Sequence, residues 1–117
     1  MKKFGYVPDQ GDLIWFDFDP QAGHEQGGRR PAVVLSPKAY NQVIGLALVC
    51  PVTSREKGYP FEVKLSGNLP ISGVVLSDHL KSQDWRARRA EFVGKLDEKT
   101  LIAVLHRAGS LLQREEE

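Results

Sequence analysis

The stretch GHEQGGRRPAVVLSP, residues 23–37, runs from a glycine-rich turn straight into a short apolar segment, with two arginines, Arg29 and Arg30, at the junction. Gly27 and Gly28 suit a hairpin loop, and the prolines at 31 and 37 bound a segment too short for a helix, so PAVVLSP (31–37) reads as a strand. Similar segments lie on both sides of it. DLIWFDFD (12–19) is aromatic and β-branched and is closed by Pro20, which predicts a central strand with apolar side chains on both faces. LALVCPVTS (46–54), FEVKL (61–65), GVVLSD (73–78) and RAEFVGKL (89–96) read as further strands. In FEVKL, Phe61, Val63 and Leu65 alternate with Glu62 and Lys64, the pattern of a strand with one wet face. KAYNQVIG, between the second and third strands, predicts one helical turn. Short strands joined by Gly/Pro turns indicate a compact, partly closed antiparallel sheet. The end of the chain changes period. Asp97 is a good N-cap, and Leu101, Val104, Leu105, Ala108, Leu111 and Leu112 recur at helical spacing, predicting an amphipathic helix over 98–113 laid on the sheet.

At 117 residues the chain has the length of one domain, spanning 1–117. No window is apolar enough for a membrane span, and Gly5, Pro8 and Asp9 fall where a secretory signal needs its apolar run, so the expected location is the cytoplasm. A single cysteine, Cys50, excludes an intrachain disulfide and a multi-cysteine zinc site. The net charge of +1 argues against a strongly basic nucleic-acid binder, but the average hides an asymmetry: Glu115, Glu116 and Glu117 end the chain, whereas Arg29, Arg30, Arg55, Lys57, Lys81, Arg86, Arg88 and Arg89 fall largely in turn-rich segments of the body.

Nucleotide-binding loops are absent, and His24, His79 and His106 are too scattered for a metal site, so no metal and no cofactor is expected. What remains is a set of polar groups at strand ends: Glu25, Arg29 and Arg30 before the second strand, Thr53 and Ser54 after the third. If those two strands are antiparallel neighbours, Arg30 and Thr53 converge. A guanidinium presents a planar fork of donors that fits phosphate oxygens. An arginine at a strand end also serves as plain surface charge, and a threonine in PVTS as a turn residue; residue pattern alone leaves both readings open.

Four blocks, YVPDQGDLIWFDFDP, GHEQGGRRPAVVLSP, CPVTSREKGYPFEV and GVVLSDHLKSQDWRAR, resemble in order and spacing the MazF/PemK family of toxin endoribonucleases from type II toxin–antitoxin systems. The resemblance covers residues 6 to about 92. It implies a mostly β fold with α, an SH3-like barrel of five to seven short antiparallel strands with a C-terminal amphipathic helix, assembled as a homodimer. The implied activity is sequence-selective, metal-independent cleavage of single-stranded RNA through the RNA's own 2′-hydroxyl, leaving 2′,3′-cyclic phosphate and 5′-hydroxyl ends. The implied partner is a cognate antitoxin with an acidic C-terminal tail, and operator DNA is met only through that antitoxin. Carried over by position, the catalytic residues are Arg30, Thr53 and Glu25. Arg29, His24, Ser54, Arg55, Lys57, His79, Lys81 and Arg86 are the expected RNA-binding residues. An arginine is a poor general base because it stays protonated, and Glu25 is a better one if it reaches; the base is left unassigned. His79 stands where many relatives carry glutamine, and His24 where they often carry serine, which opens a second assignment as an acid–base pair of histidines. A rival reading within the same fold is the CcdB type, which binds DNA gyrase and cuts nothing. That type ends in Trp-Gly-Ile, whereas this chain ends LLQREEE and retains Arg30 and Thr53. A nuclease-dead RNA-binding module is the third reading.

Overall fold

The computed structural model describes residues 5–115. Lys2 and Lys3 of the opening segment and Glu116 and Glu117 of the acidic tip lie outside the described residues. Seven strands and two helices follow one another: β1 (Asp12–Asp17), β2 (Arg29–Val34), α1 (Lys38–Ile44), β3 (Leu46–Thr53), β4 (Glu62–Lys64), β5 (Val74–Leu76), β6 (Lys81–Asp84), β7 (Glu91–Lys95) and α2 (Glu98–Ser110). All pairings are antiparallel, in the order β4-β5-β3-β2-β1-β7, with β6 also paired to β3. The end strands β4 and β7 do not pair with each other, so the barrel that the resemblance implies is not closed by hydrogen bonds.

Period-two alternation divides the apolar residues between two cores. Leu13, Val33, Cys50, Val52 and Val75 meet Val104 and Ala108 of α2 on one side. Ile14, Phe16, Ala32, Val34, Val49 and Trp85 pack together on the other. β1 therefore buries residues on both faces, as its composition predicts. Burial pushes the Cys50 thiol up to about 12, which leaves it an inert core residue.

Three elements differ from the sequence expectation. α1 makes two turns rather than one, because Gly45 closes it in the left-handed region at φ 84° and the fully buried Asn41 anchors it. The Asn41 amide donates to the carbonyls of Pro8 and Ser36 and accepts from the Ser36 hydroxyl, while its backbone carbonyl accepts from the Trp85 indole. β6 was not expected, since KSQD carries no apolar residue; it forms because the Leu46–Val49 edge of β3 offers it a ladder. Helix α2 ends at Ser110, three residues short of the expected end, and leaves Leu111 and Leu112 exposed. Asp97 occupies the N-cap position but makes no side-chain capping bond.

Two features fix the strand ends that matter for function. β3 pairs with β6 through Leu46–Val49 and with β5 through Val52 and Thr53, so its neighbour on that edge changes around Cys50 and Pro51. Gly73, just before β5, approaches the Thr53 backbone so closely that a Cβ would lie 2.5 Å from the Thr53 carbonyl oxygen, and its φ is +135°. At the start of β2, Asp17 accepts from Arg29 and Arg89, at 3.1 and 2.8 Å, and clasps β1, β2 and the turn leading into β7.

Gly73→Ala is expected to destabilise the fold by about 1–3 kcal/mol through backbone strain, measured by thermal or urea unfolding; an unchanged midpoint would show that the β3–β5 approach is slack. The Arg89 and then the Arg29 hydrogen bonds hold the Asp17 carboxyl below its usual range. A depressed carboxylate contributes stability above the ordinary Asp value of about 3.9 and loses it as pH falls through the folded value. Asp17→Asn is thus expected to lower stability at pH 7, by less than about 1 kcal/mol because the partners are solvent-accessible, and to have a progressively smaller effect as pH falls below the ordinary Asp range. An equal loss at neutral and at acid pH would contradict this role.

Candidate functional site

A cleft of about 600 Å³ opens where β2 begins and β3 ends. The β2–β3 register pairs Ala32 with Pro51 and Val33 with Cys50; continued by two residues, it sets Arg30 opposite Thr53. Both line the cleft. The Arg30 Nε donates to the Gly27 carbonyl at 2.8 Å and one terminal nitrogen lies 3.5 Å from the Val52 carbonyl. Among the described residues no carboxylate pairs with it, so its charge and its remaining N–H donors are available to an anion. The Thr53 side chain is buried at the cleft wall, and its Oγ1 accepts from the Arg55 backbone N–H at 3.2 Å. With its oxygen engaged as acceptor, the hydroxyl keeps its own proton to donate.

The loop after β3 forms one wall and contributes Ser54, Arg55, Lys57 and Tyr59. Glu62 holds that loop by accepting from the backbone N–H groups of Lys57 and Gly58, at 2.9 and 2.7 Å. The Tyr59 hydroxyl donates to Asp78 at 2.7 Å, joining the loop to the β5–β6 turn; burial and this carboxylate raise the Tyr59 phenol well above its usual value. Arg107 of α2 donates to the Pro60 carbonyl at 2.9 Å and braces the same loop from behind.

The loop between β1 and β2 forms the facing wall with His24 and Gln26. Beyond it lies a second, shallower hollow of about 470 Å³, which shares His24 and His79 with the cleft and also contains Glu25 and Lys81. Glu25 pairs with Lys81 at 2.9 Å and accepts from the Ala22 N–H. The Lys81 hydrogen bond, with the Ala22 N–H second, holds the Glu25 carboxyl below the usual carboxylate range. As positioned, Glu25 is a weak base and is not among the residues lining the Arg30–Thr53 cleft.

Of the residues expected from sequence, the structure thus gathers His24, Arg30, Thr53, Ser54, Arg55, Lys57 and His79 around one cleft, with Glu25 and Lys81 in the adjoining hollow. Arg29 and Arg86 line neither. Arg29 alternates to the other side of β2 from Arg30 and is spent on Asp17, Glu91 and the Arg89 carbonyl. Arg86 lies over the Trp85 ring at 4.8 Å. Gln26, Tyr59 and Glu62 line the cleft without having been singled out from sequence; the aromatic beside two basic residues in REKGYPFE was the available signal. Among the described residues no three His, Cys, Asp or Glu side chains cluster as a metal-binding group.

Residues 9–112 match the family model described as PemK-like, MazF-like toxin of type II toxin–antitoxin system. The endoribonuclease toxin MazF of Escherichia coli K12 is 61% identical over 85 residues, covering 73% of this chain and 76% of that protein. Endoribonuclease PemK of E. coli is 36% identical over 110 residues, covering 89% and 81%. Among solved structures, MazF of Deinococcus radiodurans superposes with a TM-score of 0.90 at 62% identity over 92% of this chain and 98% of that one. A MazE–MazF structure from the same organism superposes with a TM-score of 0.83 at 53% identity, over 95% and 100%. The four sequence blocks, the strand order and the paired ends of β2 and β3 therefore have one common source: this chain belongs to the PemK/MazF toxin family of type II toxin–antitoxin systems.

Proposed function

We propose that this chain is a sequence-selective endoribonuclease toxin that cleaves single-stranded RNA without a metal ion and is silenced by a cognate antitoxin. The observation that carries this reading is the convergence of a carboxylate-free Arg30 guanidinium and the Thr53 hydroxyl on one cleft across the β2–β3 register. In the proposed reaction the 2′-oxygen next to the scissile phosphate attacks phosphorus and forms the cyclic phosphate, while the bond from phosphorus to the 5′-oxygen breaks. The 2′-hydroxyl proton passes to a base and the departing 5′-oxygen takes up a proton. Negative charge grows on the non-bridging oxygens during attack, and fixed donors aimed there stabilise the transition state more than the ground state. Arg30 supplies charge and Thr53 a neutral donor. Arg55 and Lys57 hold flanking phosphates. Glu25 is the third catalytic residue, and it works as a base only after leaving Lys81.

The family resemblance and the MazE–MazF likeness support an antitoxin with an acidic tail that competes for this basic cleft, with operator DNA reached through that antitoxin. The exposed apolar residues Tyr40, Val43, Ile44, Phe92 and Ile102 support a homodimer, which covers part of them. No helix among the described residues is long and apolar enough to cross a membrane, and action on mRNA calls for the cytoplasm.

Incubation with a long single-stranded RNA, with and without EDTA, is expected to give the same cuts, all with 5′-hydroxyl ends; 5′-phosphate ends or loss of cutting on chelation would overturn the mechanism. Arg30→Ala is expected to slow cleavage by about 100- to 1000-fold, as for loss of one preorganised donor, and Thr53→Val somewhat less. Folded variants cutting at the wild-type rate would refute the assignment. His79 lines both hollows, where neutral imidazole presents one donor and one acceptor in different directions while glutamine presents both together. His79→Gln is expected to retain cleavage and shift the cut-site spectrum in deep sequencing of fragments; an unchanged spectrum would show that His79 does not read bases.

A further inference from the structure

The Glu25–Lys81 pair joins a fixed cation to a movable anion. Lys81 opens β6 and is pinned by its pairing with Val49, and its side chain is only 21% exposed. Glu25 sits near the tip of the β1–β2 loop. Among the described residues, its contact with Lys81 is the one hydrogen bond or ion pair that ties residues 20–26 to another element; Glu25 and Ala22 otherwise bond only to each other. The hollow that holds the pair adjoins the cleft and shares His24 and His79 with it, which puts Lys81 within reach of a strand that leaves Arg30 and Thr53 past His79. Asp78, the other carboxylate there, is engaged by the Tyr59 hydroxyl and lies 4.0 Å from the His79 Nε2.

We propose that the hollow around Lys81 is a subsite for an RNA phosphate beyond the scissile bond, and that in the free protein the Glu25 carboxylate occupies it as a stand-in for that phosphate. The proposal rests on the nuclease reading and adds to it an order of events. A phosphodiester replaces a carboxylate on the same ammonium, so Lys81 is never left bare, and a solvent-accessible pair of this kind is weak enough to be displaced. Once Glu25 leaves Lys81, its carboxylate loses the chief influence holding its basicity down, and residues 20–26, with His24 and Gln26, lose the one hydrogen bond or ion pair that, among the described residues, ties them to another element. RNA binding thus unmasks the residue proposed to act as base.

The test is binding rather than cleavage. The probe is a fluorescent single-stranded RNA carrying the mapped wild-type cut sequence, with one 2′-deoxy sugar at the cut bond to block attack. Its dissociation constant is measured by anisotropy across a salt series for wild type, Glu25→Gln, Lys81→Met and the double variant. Glu25→Gln is expected to bind about two- to fivefold tighter than wild type, the scale of one exposed ion pair. Lys81→Met is expected to bind more weakly, with a salt slope shallower by about 0.7, one phosphate contact on a single strand. In the double variant the Glu25→Gln gain should vanish, because no cation remains to be unmasked. Equal or weaker binding by Glu25→Gln would overturn the proposal, as would a gain that persists without Lys81, which would reveal mere charge repulsion. Wild-type protein that fails to bind the probe would remove the nuclease reading and this proposal with it.

Discussion

β3 is the strand on which the rest of the molecule depends. One edge pairs with β2, and the other pairs first with β6 and then with β5. The change of partner falls around Cys50 and Pro51, and a proline, having no N–H to donate, suits a point where one ladder ends and another begins. Pairing with β2 brings the start of β2 beside the end of β3, and pairing with β5 holds the Thr53 backbone against Gly73. The cleft and its two facing loops are consequences of that arrangement.

The two adjacent arginines at the start of β2 are divided by the same geometry. Successive strand residues point to opposite faces, so Arg29 and Arg30 cannot share a task. Arg29 completes a structural clasp with Asp17 and Glu91, while Arg30 bonds only to backbone carbonyls and keeps its charge for a ligand. On the proposed mechanism, a substitution at the first would act through stability, and at the second through chemistry. Polar side chains likewise set the cleft walls, with Glu62 shaping one loop from within and Asp78 tying it across to the β5–β6 turn.

Much of this was legible in the sequence where hydrophobic period and turn chemistry agreed. β1, β2, β3, β5 and α2 follow directly from their patterns, and the convergence of Arg30 with Thr53 needed only the added condition that β2 and β3 be antiparallel neighbours. β6 was illegible because KSQD has no apolar pattern, and its strand character comes from the edge it pairs with. The second turn of α1 depends on the buried Asn41 network, which joins residues far apart in the chain. Arg29 and Arg86 stand outside both hollows because each is turned toward a neighbour, the Asp17 clasp and the Trp85 ring, that sequence does not display. The Glu25–Lys81 pair spans the β1–β2 loop and the start of β6, so no local signal announced it.

The central claim is that Arg30 and Thr53 stabilise charge on a phosphate attacked by the RNA's own 2′-oxygen. The most direct measurement compares two otherwise identical single-stranded RNAs that carry the mapped cut sequence, one with ribose and one with 2′-deoxyribose on the 5′ side of the scissile phosphate. The account predicts that both bind and that only the ribose strand is cut at that bond. Cleavage of the deoxy strand at the same bond would mean that a different nucleophile attacks phosphorus, and would contradict it.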